Sequence, residues 1–312
     1  MITPLDPDIA RFRDEVNGAY ARLSAGGVPH VAERRRIAEQ VRAPWAAGGP
    51  DMASVRDLTV GPNAIRVRIY RPADDAPLPA LVYLHGGGWV LFSIDTHDRL
   101  MREYAARSGC AVVGIDYRRA PETPFPAALD DVALVLGRLR QAGDSLGIDA
   151  TRLAVGGDSA GANLSLATAI RERDAGRGLA AMLLNYGVFD TLERASHVAF
   201  DGADYMLTCE EMRDFWCAYL GPGAAKTSDP LARPILADSQ GLPPAFFCIP
   251  ECDILADENR AMAERLRAAS VPVRAEVYPG AAHSFLEAVR ISRLADRALS
   301  EASAWLRGCL DR

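Results

Sequence analysis

Leu153-Ala-Val-Gly-Gly-Asp-Ser-Ala-Gly-Ala-Asn-Leu-Ser165 is the stretch whose reading decides the fold. It opens as a short apolar run, passes through Gly157-Asp-Ser-Ala-Gly161 and continues into residues that suit a helix. This is G-x-S-x-G in a strand–turn–helix setting, the nucleophile-elbow pattern. A serine at the tip of so sharp a turn sits in a strained backbone. Its neighbours two positions away must be small, so that the two arms can close. Gly157 and Gly161 are those neighbours, and the strain lifts Ser159 clear of the sheet. The following helix points its free N–H groups and positive dipole end at the serine oxygen. Two other readings fit the pentapeptide alone. One is a plain βα turn. A dinucleotide loop is poorer, since Asp158 stands where G-x-G-x-x-G needs its second glycine.

The neighbourhood of this stretch tests the first reading. An apolar run at 80–84 ends in His85-Gly-Gly-Gly-Trp89. A strand that ends in glycines lets backbone N–H groups turn inward with no side chain in the way, which is what an oxyanion hole requires. H-G-G-G upstream of G-x-S-x-G is the esterase and lipase arrangement. A serine hydroxyl also needs a base, and the base an orienting carboxylate. Among the histidines 30, 85, 97, 197 and 283, only His283 follows the last apolar strand, in Tyr278-Pro-Gly-Ala-Ala-His-Ser-Phe285. The acid should come after the preceding strand, in Glu251-Cys-Asp-Ile-Leu-Ala-Asp-Glu258, where Asp253 is the choice over Glu251 and Asp257. The order Ser159, Asp253, His283 is the order of this fold. The bland alternative for Asp253 and His283 is a core or capping role.

The rest of the chain supplies a frame. Asp6 and Pro7 open a helix over 6–23, with Ile9, Phe12, Val16, Ala19 and Leu23 on one face. Gly26-Gly27 breaks it, a second helix runs from Pro29 to Arg42, and Pro44 to Pro50 is a linker. Residues 54–60 and 63–71 read as a hairpin with one wet face. Continuously apolar strands follow at 80–84, 111–115 and 153–155, then near 180–185, 245–249 and 272–278. Helices fall near 97–108, 126–141, 257–269 and 285–307. This alternation means a mostly parallel sheet wrapped by helices. Between Tyr186 and Pro244 the chain spends more than fifty residues, rich in aromatics. So long a connection is functional as a rule, and a helical lid is the expectation, with an inert packing layer as the alternative.

Composition narrows the classes. The chain has 312 residues, 49% hydrophobic, with net charge −6, enough for one large α/β domain with an appended piece. No basic tract points to nucleic acid, and Arg34-Arg35-Arg36 reads as a solvated helix face. No apolar run approaches membrane-spanning length, and the first residues lack a secretory pattern, so a cytoplasmic protein is expected. The cysteines at 110, 209, 217, 248, 252 and 309 form no C-x-x-C pair and read as reduced thiols. No histidine or cysteine spacing suggests a metal, and no cofactor is expected.

Taken in order, His85-Gly-Gly-Gly88, Asp116-Tyr-Arg-Arg-Ala-Pro-Glu122, Gly157-Asp-Ser-Ala-Gly161, Asp253-Ile-Leu-Ala-Asp-Glu258 and His283-Ser-Phe285 resemble the hormone-sensitive-lipase family of α/β-hydrolases, in its bacterial esterase branch. The likeness runs from about residue 50 to the end. It implies an eight-stranded α/β-hydrolase sheet under a helical cap. It implies that the N–H groups of Gly87, Gly88 and Ala160 form the oxyanion hole, and that Asp116 to Glu122 shapes the floor beneath the site. Ile254 and Asn259 depart from the Pro and Gly common in the family at those places. The expected division is 1–50 as cap helices, 51–187 and 244–312 as the catalytic domain, and 188–243 as the cap insertion. The expected activity is a serine carboxylesterase acting on short- to medium-chain acyl esters through an acyl-enzyme. An amidase, lactonase or acyltransferase on the same machinery is the nearest alternative, and a non-catalytic receptor the next. Trp89, Phe92, Phe215 and Trp216 are expected to line a small pocket around the ester. A homodimer through the last strand is expected from the apolar character of Val271, Val273 and Val277.

Overall fold

The computed structural model of the protein describes residues 4–24, 30–74 and 76–311. Gly26-Gly27 and Pro29, the expected break and the start of the second helix, lie outside them. Among the described residues, eight strands form one sheet: β1 (Ser54–Val60), β2 (Ile65–Arg71), β3 (Leu78–Leu84), β4 (Ala111–Asp116), β5 (Ile148–Asp158), β6 (Met182–Asn185), β7 (Ala245–Cys252) and β8 (Val273–Ala282). Their order across the sheet is β1-β2-β4-β3-β5-β6-β7-β8. The hairpin partner β2 runs antiparallel to both β1 and β4, and the remaining neighbours are parallel. The central strands are buried on both faces. Ala80, Val82 and Leu84 of β3 join one apolar layer, and Leu81 and Tyr83 the other. That is why these strands read as unbroken apolar runs.

Helices cover both faces: α3 (Asp98–Ser108), α4 (Ala127–Ala142), α5 (Ala160–Asp174), α8 (Ala256–Ala268) and α9 (Arg293–Leu310). The single helix expected over 285–307 is two elements. A 3-10 turn spans Phe285–Arg290, and α9 begins anew after Ser292, whose hydroxyl accepts from Ala295 N at 3.3 Å. The turn buries Phe285, Leu286 and Ala288 directly behind His283.

Two helices precede the sheet, α1 (Pro7–Leu23) and α2 (Val31–Ala46). Asp6 caps α1 by accepting from Asp8 N and Ile9 N, at 3.0 and 3.3 Å. Ile9, Phe12 and Val16 are buried as expected, whereas Leu23 is exposed. The second helix runs through Pro44, so the expected linker starts late. Pro44 sits in the last turn, and Trp45 beyond it packs edge-on against Phe12 with centroids 4.7 Å apart. Burial of that ring outweighs the hydrogen bond a proline lacks. Nor is Arg34-Arg35-Arg36 a solvated face. Arg36 alone pairs outward, with Glu33. Arg35 forks onto Glu122 at 2.8 Å and donates to the Val90 and Ala120 carbonyls, both at 2.7 Å.

The segment between β6 and β7 carries α6 (Ala195–Phe200) and α7 (Cys209–Leu220). Asn17 of α1 donates to Ala203 O at 2.8 Å, so the first helix and this segment meet. Phe189, expected in the lid, instead packs on Phe247 in the core.

Candidate active site

The sharp turn after β5 is built as its sequence demands. Ser159 has φ 52° and ψ −119°, outside the ordinary regions for a side-chain-bearing residue. A Cβ on Gly161 would stand 1.9 Å from the Leu84 carbonyl oxygen, and one on Gly157 2.2 Å from the same atom. The arms therefore close only with hydrogen at both positions. Strain of this kind costs about 1–3 kcal/mol and persists where the surroundings enforce it. Ser159 N donates to Asn185 O at 2.9 Å, and α5 starts at the next residue.

Three strand ends converge here. His283 follows β8 directly, and its Nε2 lies 3.1 Å from Ser159 Oγ. Its Nδ1 lies 2.7 Å from Asp253 Oδ2, one residue beyond β7. Asp253 is fully buried, and its other oxygen accepts from Leu255 N at 2.9 Å, which fixes the carboxylate plane. The rival acids are elsewhere. Asp257 accepts from Ser196 N, and the buried Glu251 Oε2 has no partner among the described residues. Asn259, where the family commonly has Gly, clasps Gly187 from both sides, at 2.9 and 2.8 Å. It ties the start of α8 to the chain leaving β6.

The glycine loop turns through φ 100° at Gly87 and 60° at Gly88. No described residue accepts from the N–H groups of Gly87, Gly88 or Ala160. A Cβ on Gly88 would strike the Phe215 ring at 2.2 Å, so α7 lies directly on the loop. The segment 116–122 holds the loop from below. Tyr117 donates to the His85 carbonyl at 2.8 Å, Ala120 N to Trp89 O at 2.9 Å, and Arg119 to the Phe92 carbonyl.

A second polar cluster supports the serine from behind. Asp158 accepts from Tyr83 OH at 2.8 Å and faces His97 Nε2 at 3.3 Å. Burial alone would raise the Asp158 carboxyl, but His97 and the Tyr83 hydrogen bond hold it below the usual range. Burial works against a charged His97 as well, and Asp158 overcomes it and raises its pKa. His85, buried and beside His97, is pushed down to about 3 and stays neutral, stacked on Tyr117 at 4.3 Å. Asp158 and His97 thus each favour the other's charged form under the elbow, with a neutral imidazole next to them.

Ser159, His283, Gly87 and Gly88 open onto a cavity of about 400 Å³, within the usual range for small-ligand sites. Phe92 and Phe215 line it. Trp89 and Trp216 do not. Trp89 itself has φ 60°, and after two glycines with positive φ this turns its side chain away. Its indole stacks on Tyr219 at 4.3 Å and meets Trp216 at 4.6 Å, clamping the loop to α7. The residues missed by sequence reasoning come from α1 and α2, with Val16, Tyr20, Arg34, Ile37 and Arg42, and equally from the segment between β6 and β7, with Met206, Leu207 and Met212. Val16 and Ile37 carried a signal in the apolar spacing of their helices; the arginines carried none. Among the described residues, no group of His, Cys, Asp and Glu is arranged to hold a metal, and no helix is long and apolar enough to cross a membrane.

Comparison with known proteins agrees with this architecture. A family model for the alpha/beta hydrolase fold matches residues 81–287. A hyperthermophilic esterase from the archaeon Pyrobaculum calidifontis superposes with TM-score 0.90 at 35% identity, over 98% of each chain. An ester hydrolase from the metagenome of Lake Arreo, complexed with a bipyridine phosphonate derivative, gives 0.89 at 38% identity, over 99% of this chain and 100% of that one. A thermostable carboxylesterase cloned from a metagenomic library gives 0.86 at 36% identity, over 90% of this chain and 98% of that one. The chain belongs to the alpha/beta hydrolase family, as the resemblance to the hormone-sensitive-lipase family implied.

Proposed function

We propose that the protein is a serine carboxylesterase. The observation that carries this reading is the run of contacts from Ser159 Oγ to His283 Nε2 at 3.1 Å and from His283 Nδ1 to Asp253 at 2.7 Å. His283 takes the Ser159 proton as the oxygen attacks an ester carbonyl. The oxyanion rests on the N–H groups of Gly87, Gly88 and Ala160. His283 then protonates the leaving alcohol, and an acyl-enzyme remains. In the second half it activates water, and the acid leaves. Asp253 holds the imidazole tautomer and offsets its charge in each half. The esterase titles of the neighbours support the same chemistry. A leaving-group series tests it: esters should turn over far faster than the matching amides, and amides turning over as fast would favour the amidase alternative.

Short- to medium-chain preference belongs to the same reading. Residues 1–50 and 188–243 act as the cap over a catalytic domain of 51–187 and 244–312. A cavity of about 400 Å³ has room for short acyl groups. Each further methylene gains only about 0.8 kcal/mol by burial, so one steric clash outweighs several. For p-nitrophenyl esters, kcat/KM should peak between acetate and octanoate and fall by hexadecanoate. No jump in rate should occur as substrate passes its solubility limit. A maximum at long chains would mean that the cap opens as a lipase lid does.

We also propose a cytoplasmic homodimer joined through β8. Cys110, Cys209, Cys248 and Cys252 are buried, which suits thiols kept reduced. Strand β8 is an edge of the sheet. Of the valines expected there, Val271 is buried, Val273 is partly covered and Val277 is 41% exposed. An antiparallel two-fold pairing centred on Ala275 would satisfy the free edge groups and set Arg274 of one copy against Glu276 of the other. Light scattering at micromolar concentration should give twice the chain mass, and a monomer would overturn the proposal.

A further inference from the structure

Asp158 precedes the nucleophile in sequence and lines the same cavity. Its side chain also touches the oxyanion loop. A Cβ on Gly86, the residue before Gly87, would stand 2.3 Å from Asp158 Oδ2. The carboxylate joins the elbow to Tyr83 of β3, which donates to its other oxygen at 2.8 Å. That place has an electrostatic cost. A full negative charge there, buried and one residue from the loop's N–H groups, would oppose the negative charge that grows on the substrate during attack.

His97 answers that charge. Its Nε2 lies 3.3 Å from Asp158 Oδ2. Its Nδ1 lies 2.9 Å from Thr96 Oγ1, and that hydroxyl donates to the Ser93 carbonyl at 2.8 Å. The hydroxyl has no second proton, so Nδ1 must donate to it. Without a proton between Nε2 and Oδ2, two lone pairs would then face each other. One proton therefore lies between them, and the pair is neutral as a unit. The surrounding groups leave that balance unchanged. His85 stays neutral, with its Nδ1 2.8 Å from Gly86 O. Glu287 and Arg42 face His97 from the 3-10 turn and from α2, and they meet each other at 3.3 Å. Tyr104, Tyr117 and Tyr186 face Asp158, and burial holds all three phenols neutral. We propose that His97 serves the reaction through Asp158: the proton it holds there cancels a carboxylate charge that would otherwise oppose the oxyanion at Gly87 and Gly88. His97 is thus a positioning residue, which touches neither substrate nor reacting atoms. This rests on the carboxylesterase reading and adds a residue to it.

The test follows His97→Gln, Asp158→Asn and the double variant between pH 6 and 9.5 on a p-nitrophenyl ester. Glutamine keeps a donor toward Asp158 but brings no proton to cancel its charge. At low pH the carboxyl in His97→Gln holds its own proton, and as pH rises it ionises. The kcat of His97→Gln should therefore fall by about tenfold or more toward pH 9.5, with KM changed less than about twofold. Affinity for a trifluoromethyl ketone, whose adduct with Ser159 is an oxyanion, should fall in step. Neither variant that lacks the carboxylate should show this fall, so at pH 9 the double variant should surpass His97→Gln about tenfold. A residue that only fills space predicts a double variant no better than the single one at any pH, and that result overturns the proposal. So does a His97→Gln profile as flat as that of the wild-type enzyme. If His97→Gln does not fold, nitrogen NMR of the wild-type enzyme decides. One proton between His97 Nε2 and Asp158 at pH 8 supports the proposal, and a bare Nε2 beside an ionised Asp158 overturns it. A wild-type enzyme that hydrolysed no ester would bring down the carboxylesterase reading and the proposal with it. An active enzyme whose double variant shows no recovery overturns the proposal alone.

Discussion

Ser159→Ala should lower kcat by roughly 10⁴-fold or more while leaving the fold intact, since loss of the nucleophile removes the acyl-enzyme route altogether. The structure gives three reasons to expect so large a loss from one oxygen. The hydroxyl is within reach of His283, at 3.1 Å. The strained φ of 52° belongs to the backbone and survives the substitution. The N–H groups of Gly87, Gly88 and Ala160 are spent on no described acceptor, so the residual activity reports the oxyanion site alone. An organophosphate should label Ser159 and nothing else. Labelling of Ser165 would contradict the assignment, and Ser165 is poorly placed for it. Its hydroxyl donates to Gly161 O at 2.7 Å inside α5 and is fully buried. Near-wild-type kcat in Ser159→Ala, with unchanged circular dichroism, would refute the covalent mechanism.

What the sequence revealed and what it hid have a common physical origin. The members of the proposed triad follow β5, β7 and β8, and strands buried on both faces announce themselves as apolar runs, so the residues just beyond them could be located. Backbone constraint was legible for the same reason. Gly157 and Gly161 are where only hydrogen fits against Leu84. Side-chain direction was not legible. Trp89 is adjacent to the glycine loop in sequence, yet its own positive φ sends the indole to Tyr219. Nor does helical periodicity say what a polar residue on a covering helix will meet. Arg34, Arg35 and Arg36 look alike in the sequence. One reaches the cavity, one braces the loop through Glu122, and one pairs with Glu33 outside. Arg42 looked like the end of a helix because Pro44 follows it, and it is instead a buried cation at the site. Such outcomes depend on tertiary packing between segments far apart in the chain, which a local pattern does not encode.

Asp253→Asn should reduce kcat nearly as far, by about 10³- to 10⁴-fold, without loss of the serine or the base. The carboxylate accepts from His283 Nδ1–H at 2.7 Å, which leaves Nε2 as the lone-pair nitrogen facing Ser159. An asparagine held in place by Leu255 N, through its carbonyl oxygen, would turn its NH₂ toward His283 Nδ1. That group donates, so the imidazole must accept at Nδ1 and carry its proton on Nε2, where it can no longer take one from the serine. The imidazolium formed in the transition state also loses the negative charge beside it, in a place where Asp253 has no exposure to water. The neighbouring carboxylates supply the contrast. Asp257→Asn leaves one acceptor oxygen for two donors, Ser196 N and Arg260, so it should loosen α6 or the start of α8 and shift stability or KM far more than kcat. Glu251→Gln alters a buried oxygen with no described partner and should leave kcat within a few-fold. Proton NMR of the imidazole should show the Nδ1–H resonance shifted far downfield in the parent enzyme and lost in Asp253→Asn. If Glu251→Gln or Asp257→Asn were the variant that abolished turnover, the acid would have to reach His283 by a rearranged loop. The 2.7 Å contact at Asp253 would then not be the catalytic one.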